Sequence, residues 1–280
     1  MQPITSPQNP IVKMLTSLQT TKGRAEHGLC IVDGEKLIRE HLDKTTQIFI
    51  RAGAKFPSKT RGVPSSRGGV CDTISNIIKE NDNSSHTPSP RETLGATPLV
   101  LEGNLTRDKK LTPLSPSILK KISIFDTNII ATIPIPKPTT PTTPFLVLDR
   151  IQDPGNMGTI LRTALAFGFQ TIYTIDCADP WSQKTIRSAM GAQFSLNILP
   201  FSPDKIKGAS LYIADLGGDM SYIPPANQNF GLVLGSEGTG VSQTLKNLPH
   251  TIITIPTQSV ESLNVAVAGG IIMQRLSTCQ

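Results

Sequence analysis

The stretch that decides the fold is FLVLDRIQDPGNMGTILRTALAFG, residues 145–168. The run FLVLD is apolar up to its last residue, which is typical of a strand buried on both faces of a parallel sheet. A polar turn with glycines follows, and apolar residues then recur at helical spacing. The stretch therefore predicts a strand, a turn at its carboxyl end and a helix.

The same alternation continues to the end of the chain. The segments TIYTID, SLNIL, SLYIADL, GLVLGSE and TIITIP predict further strands, and SQKTIRSAMG, SPDKIKGA and TLKNL predict helices between them. A final helix is expected from about Asn264 to Leu276. Residues 145–280 are thus predicted to form an α/β domain with a mostly parallel sheet, whose ligands would bind at the carboxyl ends of the strands.

Residues 1–136 predict a second, smaller α/β domain. Helical and strand patterns cover its first fifty residues, and SILKKISIF and NIIATIPIP predict a helix and a strand near its end. Residues 81–117 are rich in Ser, Thr, Pro and Asn, and only TPLVLEG predicts a strand there, so we expect a loosely ordered segment. Residues 137–144, KPTTPTTP, contain three prolines and predict a linker.

Positive charge is concentrated in the first half of the chain. Lys and Arg outnumber Asp and Glu by 19 to 12 in residues 1–140, against 8 to 9 in residues 141–280. This asymmetry predicts that the first part holds a polyanion while the second does chemistry. A basic surface that serves only solubility is the alternative.

Composition argues against several classes of protein. The four cysteines (Cys30, Cys71, Cys177 and Cys279) are scattered without a CxxC pair, so neither a zinc site nor a disulfide framework is expected. No apolar run of about 18 residues exists, and the first residues do not have the order of a signal peptide. We expect a cytoplasmic protein that contains no metal.

Polar residues follow three of the predicted strands. The first corner, DPGNMG, carries Asn156 and leads to Arg162 on the next helix, but it lacks the lysine of a P-loop and the GxGxxG of a dinucleotide site. The second, LVLGSEGTGV, places Glu237 among three glycines, which allow a ligand to approach the backbone. A flexible turn with a solvated carboxylate is the alternative at this corner.

The third corner is IPTQSVESLNVAVAGG, where a strand end leads through Ser262 and Asn264 into a helix rich in small residues. Both residue types favour helix N-caps, so capping alone is the alternative to a functional role. The order and spacing of the three corners are more specific than any one of them.

The segments NMGTILRTALAFG, LVLGSEGTGVS and IPTQSVESLNVAVAGGIIMQ together resemble the three ordered motifs of the SpoU/TrmH group of SPOUT RNA methyltransferases. The segment ITSPQNPIVKMLTSLQTTKGRAEHGLCIVDGEKLIREHL is similar to the substrate-binding domain that precedes the catalytic domain in ribosomal RNA members. Residues 55–118 match that domain poorly.

This resemblance implies a SPOUT catalytic domain with a trefoil knot, an exception to the unknotted topology of most proteins, preceded by a smaller α/β RNA-binding domain. It also implies a homodimer that transfers the methyl group of S-adenosylmethionine to a ribose 2′-hydroxyl of structured RNA. The cofactor would lie against the second and third motifs. The implied cofactor-binding residues are Leu234, Gly235, Ile255, Pro256 and Leu263.

The catalytic residues that the resemblance implies are Asn156, Arg162, Glu237, Ser262 and Asn264. We expect Arg162 to stabilise negative charge and position the ribose or its phosphate, acting as a base only if the RNA phosphate assists. The two asparagines and Ser262 would orient ribose and cofactor, and Glu237 would hold Arg162 or nearby backbone amides. The expected RNA contacts are Asn9, Lys13, Lys22, Arg24 and Arg150.

Four functions remain open from the sequence. A full N-terminal domain favours ribosomal RNA as the substrate over transfer RNA. The presence of Asn156, Arg162, Glu237 and Asn264 argues against a catalytically silent RNA-binding protein on the same fold. A nucleotide hydrolase would need phosphate-loop and metal-binding patterns, which the corners lack.

Overall fold

The computed structural model describes residues 2–54, 111–218, 229–260 and 262–277. The chain forms two compact units, Met1–Gln19 with Ile31–Pro134 and Thr20–Cys30 with Ile135–Gln280. The second unit therefore contains residues 20–30, which the sequence analysis assigned to the N-terminal domain. The predicted strand TPLVLEG lies outside the described residues.

A four-stranded sheet and short helices make up the N-terminal part of the chain. Its elements are α1 (Pro10–Ser17), α2 (Thr21–His27), β1 (Leu29–Asp33), α3 (Glu35–Glu40), β2 (Gln47–Arg51), β3 (Leu111–Leu114), α4 (Pro116–Ile122) and β4 (Ile129–Pro134). The strand order is β1-β4-β2-β3, with β2 parallel to β3 and antiparallel to β4. The segment 81–117 was expected to be loosely ordered. Residues 81–110 lie outside the described residues, and for residues 111–117 the expectation is wrong, because β3 pairs with β2 and α4 begins at Pro116.

The second unit contains a six-stranded sheet. Its elements are β5 (Phe145–Asp149), α5 (Pro154–Ala166), β6 (Thr171–Ile175), α6 (Gln183–Ala189), β7 (Asn197–Pro200), β8 (Ser210–Ala214), β9 (Phe230–Leu234), α7 (Gln243–Lys246), β10 (His250–Ile253) and α8 (Val265–Ser277). The strand order is β10-β8-β9-β5-β6-β7, and every pair is parallel. The predicted parallel α/β sheet is confirmed. The segment SPDKIKGA forms only a 3-10 helix, Pro203–Ile206, rather than the expected α-helix.

Both faces of the second sheet are buried, as the continuously apolar strands predicted. Leu146 and Leu148 of β5 pack into a core with residues of α5 and α8, while Phe145 and Val147 pack into a core with residues of α7 and the 3-10 helix. Since consecutive residues of a strand point to opposite faces, burial on both faces requires an unbroken apolar run.

Helix α5 is held at a defined place after β5 by its first turn. Asp153 is the N-cap and its Oδ1 accepts a hydrogen bond from the Asn156 amide at 2.7 Å, with Pro154 at the first helical position. At Gly158 an added Cβ would lie 2.7 Å from the Ala189 nitrogen and 2.7 Å from the Thr185 oxygen. Glycine therefore allows α5 to pack directly on the backbone of α6.

Within the described parts of the chain, no helix is long and apolar enough to cross a membrane. Over the same residues, no group of three or more His, Cys, Asp or Glu side chains lies close enough together to hold a metal ion.

Candidate active site

A cleft of about 380 Å³ lies at the carboxyl ends of β8, β9 and β10. This is the edge of the sheet where the strand pattern placed a ligand site. Predicted cofactor-binding residues that line the cleft are Leu234, Gly235, Ile255 and Leu263. Pro256, the fifth, is not among the lining residues and its side chain is exposed.

The wall of the cleft that follows β9 is a closed loop. Ser236 and Gly240 pair as an isolated bridge, with the Gly240 amide donating to the Ser236 carbonyl at 3.0 Å. A Cβ added at Gly235 would lie 2.5 Å from the Val241 nitrogen and 2.6 Å from the Gly240 oxygen, so no larger residue fits there. Gly238, by contrast, has open space around it. The interpretation of this corner as only a flexible turn does not account for the close backbone contact at Gly235.

Three of the predicted catalytic residues, one from each motif, are connected by two hydrogen bonds, and Asn156 takes part in both. The Asn156 Nδ2 donates to Glu237 Oε1, and the Asn264 Nδ2 donates to Asn156 Oδ1 at 3.0 Å. The Asn264 Oδ1 also accepts from the amides of Ala266 and Val267, at 2.9 and 3.3 Å. Asn264 is thus both the cap of α8 and a member of the network, so capping does not compete with the second role.

The other two predicted catalytic residues lie apart from this network. Ser262 is exposed and lines the cleft. Arg162 is exposed on α5, does not line the cleft and makes no hydrogen bond or ion pair within the described ranges. Glu237 was expected to hold Arg162 or nearby backbone amides. Within the described ranges it is hydrogen-bonded to neither, and its carboxylate accepts from the Asn156 side chain instead.

Arg150 was expected to contact RNA, but its guanidinium binds the protein. The Nη1 donates to Thr239 Oγ1 at 2.9 Å, Nη2 donates to the Gly240 carbonyl at 3.0 Å, and Nε donates to Asp149 Oδ1 at 3.1 Å. The hydrogen bond with Asp149 raises the pKa of Arg150 above its usual value. Most of its donors are thus used within the protein, although one N–H of Nη1 is left over and 32% of the side chain is exposed.

Of the remaining predicted RNA contacts, two residues are exposed and two form hydrogen bonds or ion pairs within the protein. Lys13 and Lys22 are exposed. The Asn9 Oδ1 accepts from the Ile11 amide at 2.9 Å and caps α1. Arg24 is only 5% exposed, and its guanidinium lies 2.5 Å from Asp179 Oδ2. The prediction for Arg24 is wrong, since a buried, paired arginine cannot reach a nucleic acid.

Two lining residues at the end of β8 were not assigned a role from the sequence. Asp215 and Leu216 lie on the wall of the cleft, and Asp215 Oδ2 is 2.7 Å from Lys246 Nζ. This hydrogen bond with Lys246 is the main cause that lowers the pKa of Asp215. The available signal was that Asp215 is the first charged residue after an apolar strand, the pattern also found at Asp149.

Comparison with known proteins relates this part of the chain to a family of methyltransferases. Residues 143–274 match the SpoU rRNA methylase family. A 23S rRNA (guanosine(2553)-2′-O)-methyltransferase, RlmP, from Bacillus subtilis is 27% identical over 99% of each chain. An uncharacterised tRNA/rRNA methyltransferase from Synechocystis is 29% identical over 96% of this chain and 91% of its own.

Similarity to solved structures extends over nearly the whole chain. The crystal structure of an AdoMet-bound rRNA methyltransferase from Sinorhizobium meliloti has a TM-score of 0.71 at 23% identity and covers 99% of this chain and 97% of that one. This likeness shows a common fold. The family match spans all three strand-end motifs and the residues of their network, so this part of the chain is similar to the SpoU rRNA methylase family.

Proposed function

We propose that this protein is an S-adenosylmethionine-dependent 2′-O-ribose methyltransferase that acts on structured RNA, and on ribosomal RNA in particular. The observation that carries the proposal is the hydrogen-bonded network of Asn156, Glu237 and Asn264, one residue from each motif. The loop after β9 carries Glu237 and also forms a wall of the cleft. The relative from Bacillus subtilis, similar over its whole length, is named for this reaction.

The cleft fits the cofactor in size and chemistry. Pockets for ligands of this size measure about 300–1000 Å³ and combine apolar walls with few polar groups. Here Leu234, Ile255 and Ile272 supply apolar wall, and the space that a Cβ at Gly235 would need is occupied by backbone. Leu234, Gly235, Ile255 and Leu263 would hold S-adenosylmethionine, with Pro256 beside them. When bound, it supplies an electrophilic methyl group on its sulfonium.

The chain's own residues would position the ribose and stabilise charge. A ribose hydroxyl loses its proton as it attacks, so negative charge develops on its oxygen. The hydrogen bonds within the network restrain the amide of Asn156, and positioned amides can orient the ribose hydroxyls. Arg162 is exposed with a guanidinium that is always charged, so it would bind the phosphate or the developing charge rather than remove the proton.

RNA would bind to a basic surface of the first unit, formed by Lys13 of α1 with Lys120 and Lys121 of α4. The two helices pack together, and Gln19 Nε2 donates to the Lys121 carbonyl at 2.8 Å. All three lysines are exposed, and neither α1 nor α4 contains an acidic residue. Cations without nearby carboxylates attract phosphates, and this term depends strongly on salt.

Replacing Lys120 and Lys121 together by alanine is expected to weaken RNA binding and to reduce the salt dependence of the affinity by about two counterions. Filter binding at several salt concentrations measures both effects. The matched control is Lys207→Ala, which removes an exposed lysine of the second unit that pairs with Asp204. An unchanged salt slope in the double variant would rule out this surface.

We further propose that the protein is a cytoplasmic homodimer whose catalytic domain contains a trefoil knot. In support of a dimer, Val267 and Ile271 stand one turn apart on α8 with 52% and 41% of their surfaces exposed. A monomeric mass in light scattering would contradict the dimer.

In support of the knot, the chain returns after the edge strand β10 so that α8 packs on β9 and α5. An experimental structure in which the C-terminal segment does not pass through a loop of the chain would contradict the knot.

The function is tested by mapping 2′-O-methyl groups in total RNA from cells with and without the gene for this protein. We expect one or a few ribosomal RNA positions to lose the methyl group, and purified protein with S-adenosylmethionine to restore it. A site in transfer RNA would support the alternative substrate. Binding of S-adenosylmethionine without transfer to any RNA would support the catalytically silent protein and refute the enzyme.

A further inference from the structure

Arg150 adopts a backbone conformation that only its contacts explain. Its φ is 58°, in the left-handed region that costs a non-glycine residue about 1 kcal/mol. Such conformations persist only where the surrounding structure determines them. Arg150 follows β5 directly. In this left-handed conformation its guanidinium contacts the loop after β9.

The neighbouring Asp149 supplies the anchor. Its side chain is completely buried at the end of β5, and a buried carboxylate is tolerated only when it is paired and hydrogen-bonded. Asp149 Oδ1 accepts from Arg150 Nε at 3.1 Å, and Oδ2 accepts from the Ser242 amide at 2.5 Å. The carboxylate therefore connects β5, the arginine and the loop after β9.

Asp149 and Arg150 together form hydrogen bonds with three groups of this loop, namely Thr239 Oγ1, the Gly240 carbonyl and the Ser242 amide. The loop contains glycines at 235, 238 and 240, which would leave it many conformations if it were unrestrained. Ordering a loop when a ligand binds reduces affinity, and a loop that is already ordered avoids this cost.

The same loop forms the wall of the cleft and carries Glu237. We propose that Arg150, anchored by Asp149, is a positioning residue that holds residues 236–242 in the conformation that binds S-adenosylmethionine and sets Glu237 against Asn156. This inference rests on the proposed function for the identity of the ligand. It assigns Arg150 to the cofactor side of the site and not to RNA.

The variant Arg150→Met keeps most of the aliphatic stem and removes all the donors. Calorimetry with S-adenosylmethionine is expected to show a Kd about tenfold higher than that of the unaltered protein, because charged hydrogen bonds to the loop are lost. The Kd for RNA should not change, and in turnover the KM for S-adenosylmethionine should rise while the KM for RNA does not. Lys207→Met, an exposed ion-pair lysine of the same unit, is the matched control.

A second variant separates positioning from folding. Thr239→Val removes one exposed acceptor of Arg150, and we expect a smaller rise in the Kd for S-adenosylmethionine, about threefold, with an unchanged Tm. In the double variant the effect of Thr239→Val should shrink to what its other hydrogen bond, with Ser236 Oγ at 2.8 Å, contributes, since Arg150 is already gone. Additive effects, or a higher Kd for RNA with an unchanged Kd for S-adenosylmethionine, would overturn the proposal.

The outcome is distinguishable from failure of the proposed function. If the unaltered protein binds S-adenosylmethionine but methylates no RNA, the enzyme proposal fails while the calorimetric comparison still tests Arg150. If Arg150→Met does not fold, Thr239→Val and its Kd for S-adenosylmethionine decide the question, and an unchanged Kd in that variant counts against positioning.

Discussion

Arg162→Ala is expected to lower kcat for methyl transfer by about a thousandfold while the Kd for S-adenosylmethionine remains within about twofold. Arg162 is exposed on α5, does not line the cleft, and makes no hydrogen bond or ion pair with Asn156 or Glu237 in the described structure. Its loss should therefore leave the cofactor site intact and remove only the positive charge that would bind the RNA phosphate or the developing negative charge. Single-turnover kinetics and calorimetry measure the two quantities.

The control for Arg162→Ala is Lys184→Ala, which removes an exposed positive charge from α6 of the same unit. Arg162→Lys is expected to recover only part of the activity, because an ammonium keeps the charge but not the planar pair of donors. Undiminished kcat in Arg162→Ala would contradict the assigned role. Loss of cofactor binding would indicate a structural role instead.

Gly235→Ala is expected to raise the Kd for S-adenosylmethionine by about a hundredfold. The added Cβ would lie 2.5 Å from the Val241 nitrogen and 2.6 Å from the Gly240 oxygen, which are backbone atoms that cannot rotate away. Overpacking of this kind costs about 1–3 kcal/mol and is relieved only by moving the loop that forms the cleft wall. Calorimetry measures the change, and Tm shows whether the fold survives.

Gly238→Ala is the matched control for Gly235→Ala. The two glycines line the same cleft three residues apart, but a Cβ at Gly238 would have no heavy atom within 4 Å. We expect its Kd for S-adenosylmethionine to stay within about twofold of the unaltered value. Equal effects of the two substitutions would show that loop flexibility, and not the close contact at Gly235, governs binding.

The fold of the second unit could be predicted because its signals are local. A parallel strand that is buried on both faces needs consecutive apolar residues, as in FLVLD, residues 145–149, and such a run can be recognised in the sequence. Local signals failed where tertiary pairing decided the outcome. Residues 111–114 are a strand because β2 pairs with them, although their composition resembles that of the loop before them.

The candidate site could be predicted in part. Leu234, Gly235, Ile255 and Leu263 line the cleft as expected, since all of them lie at strand ends or in the segment before α8. The arginine predictions were less reliable. Arg24 is buried against Asp179, a partner 155 residues away, and Arg150 binds a loop about 90 residues away. Charge in a sequence does not reveal whether a guanidinium faces solvent or a distant carboxylate.

The sequence by itself determined the order of strands and helices in the second unit and the residue types at each strand end, because periodicity and turn chemistry act over a few residues. Only the tertiary structure decided which strand ends meet. Asn156 reaches Glu237 across 81 residues and Asn264 across 108. These contacts follow from the strand order β10-β8-β9-β5-β6-β7, which places β9 beside β5. Strand order depends on the packing of the whole sheet, so no short stretch of sequence encodes it.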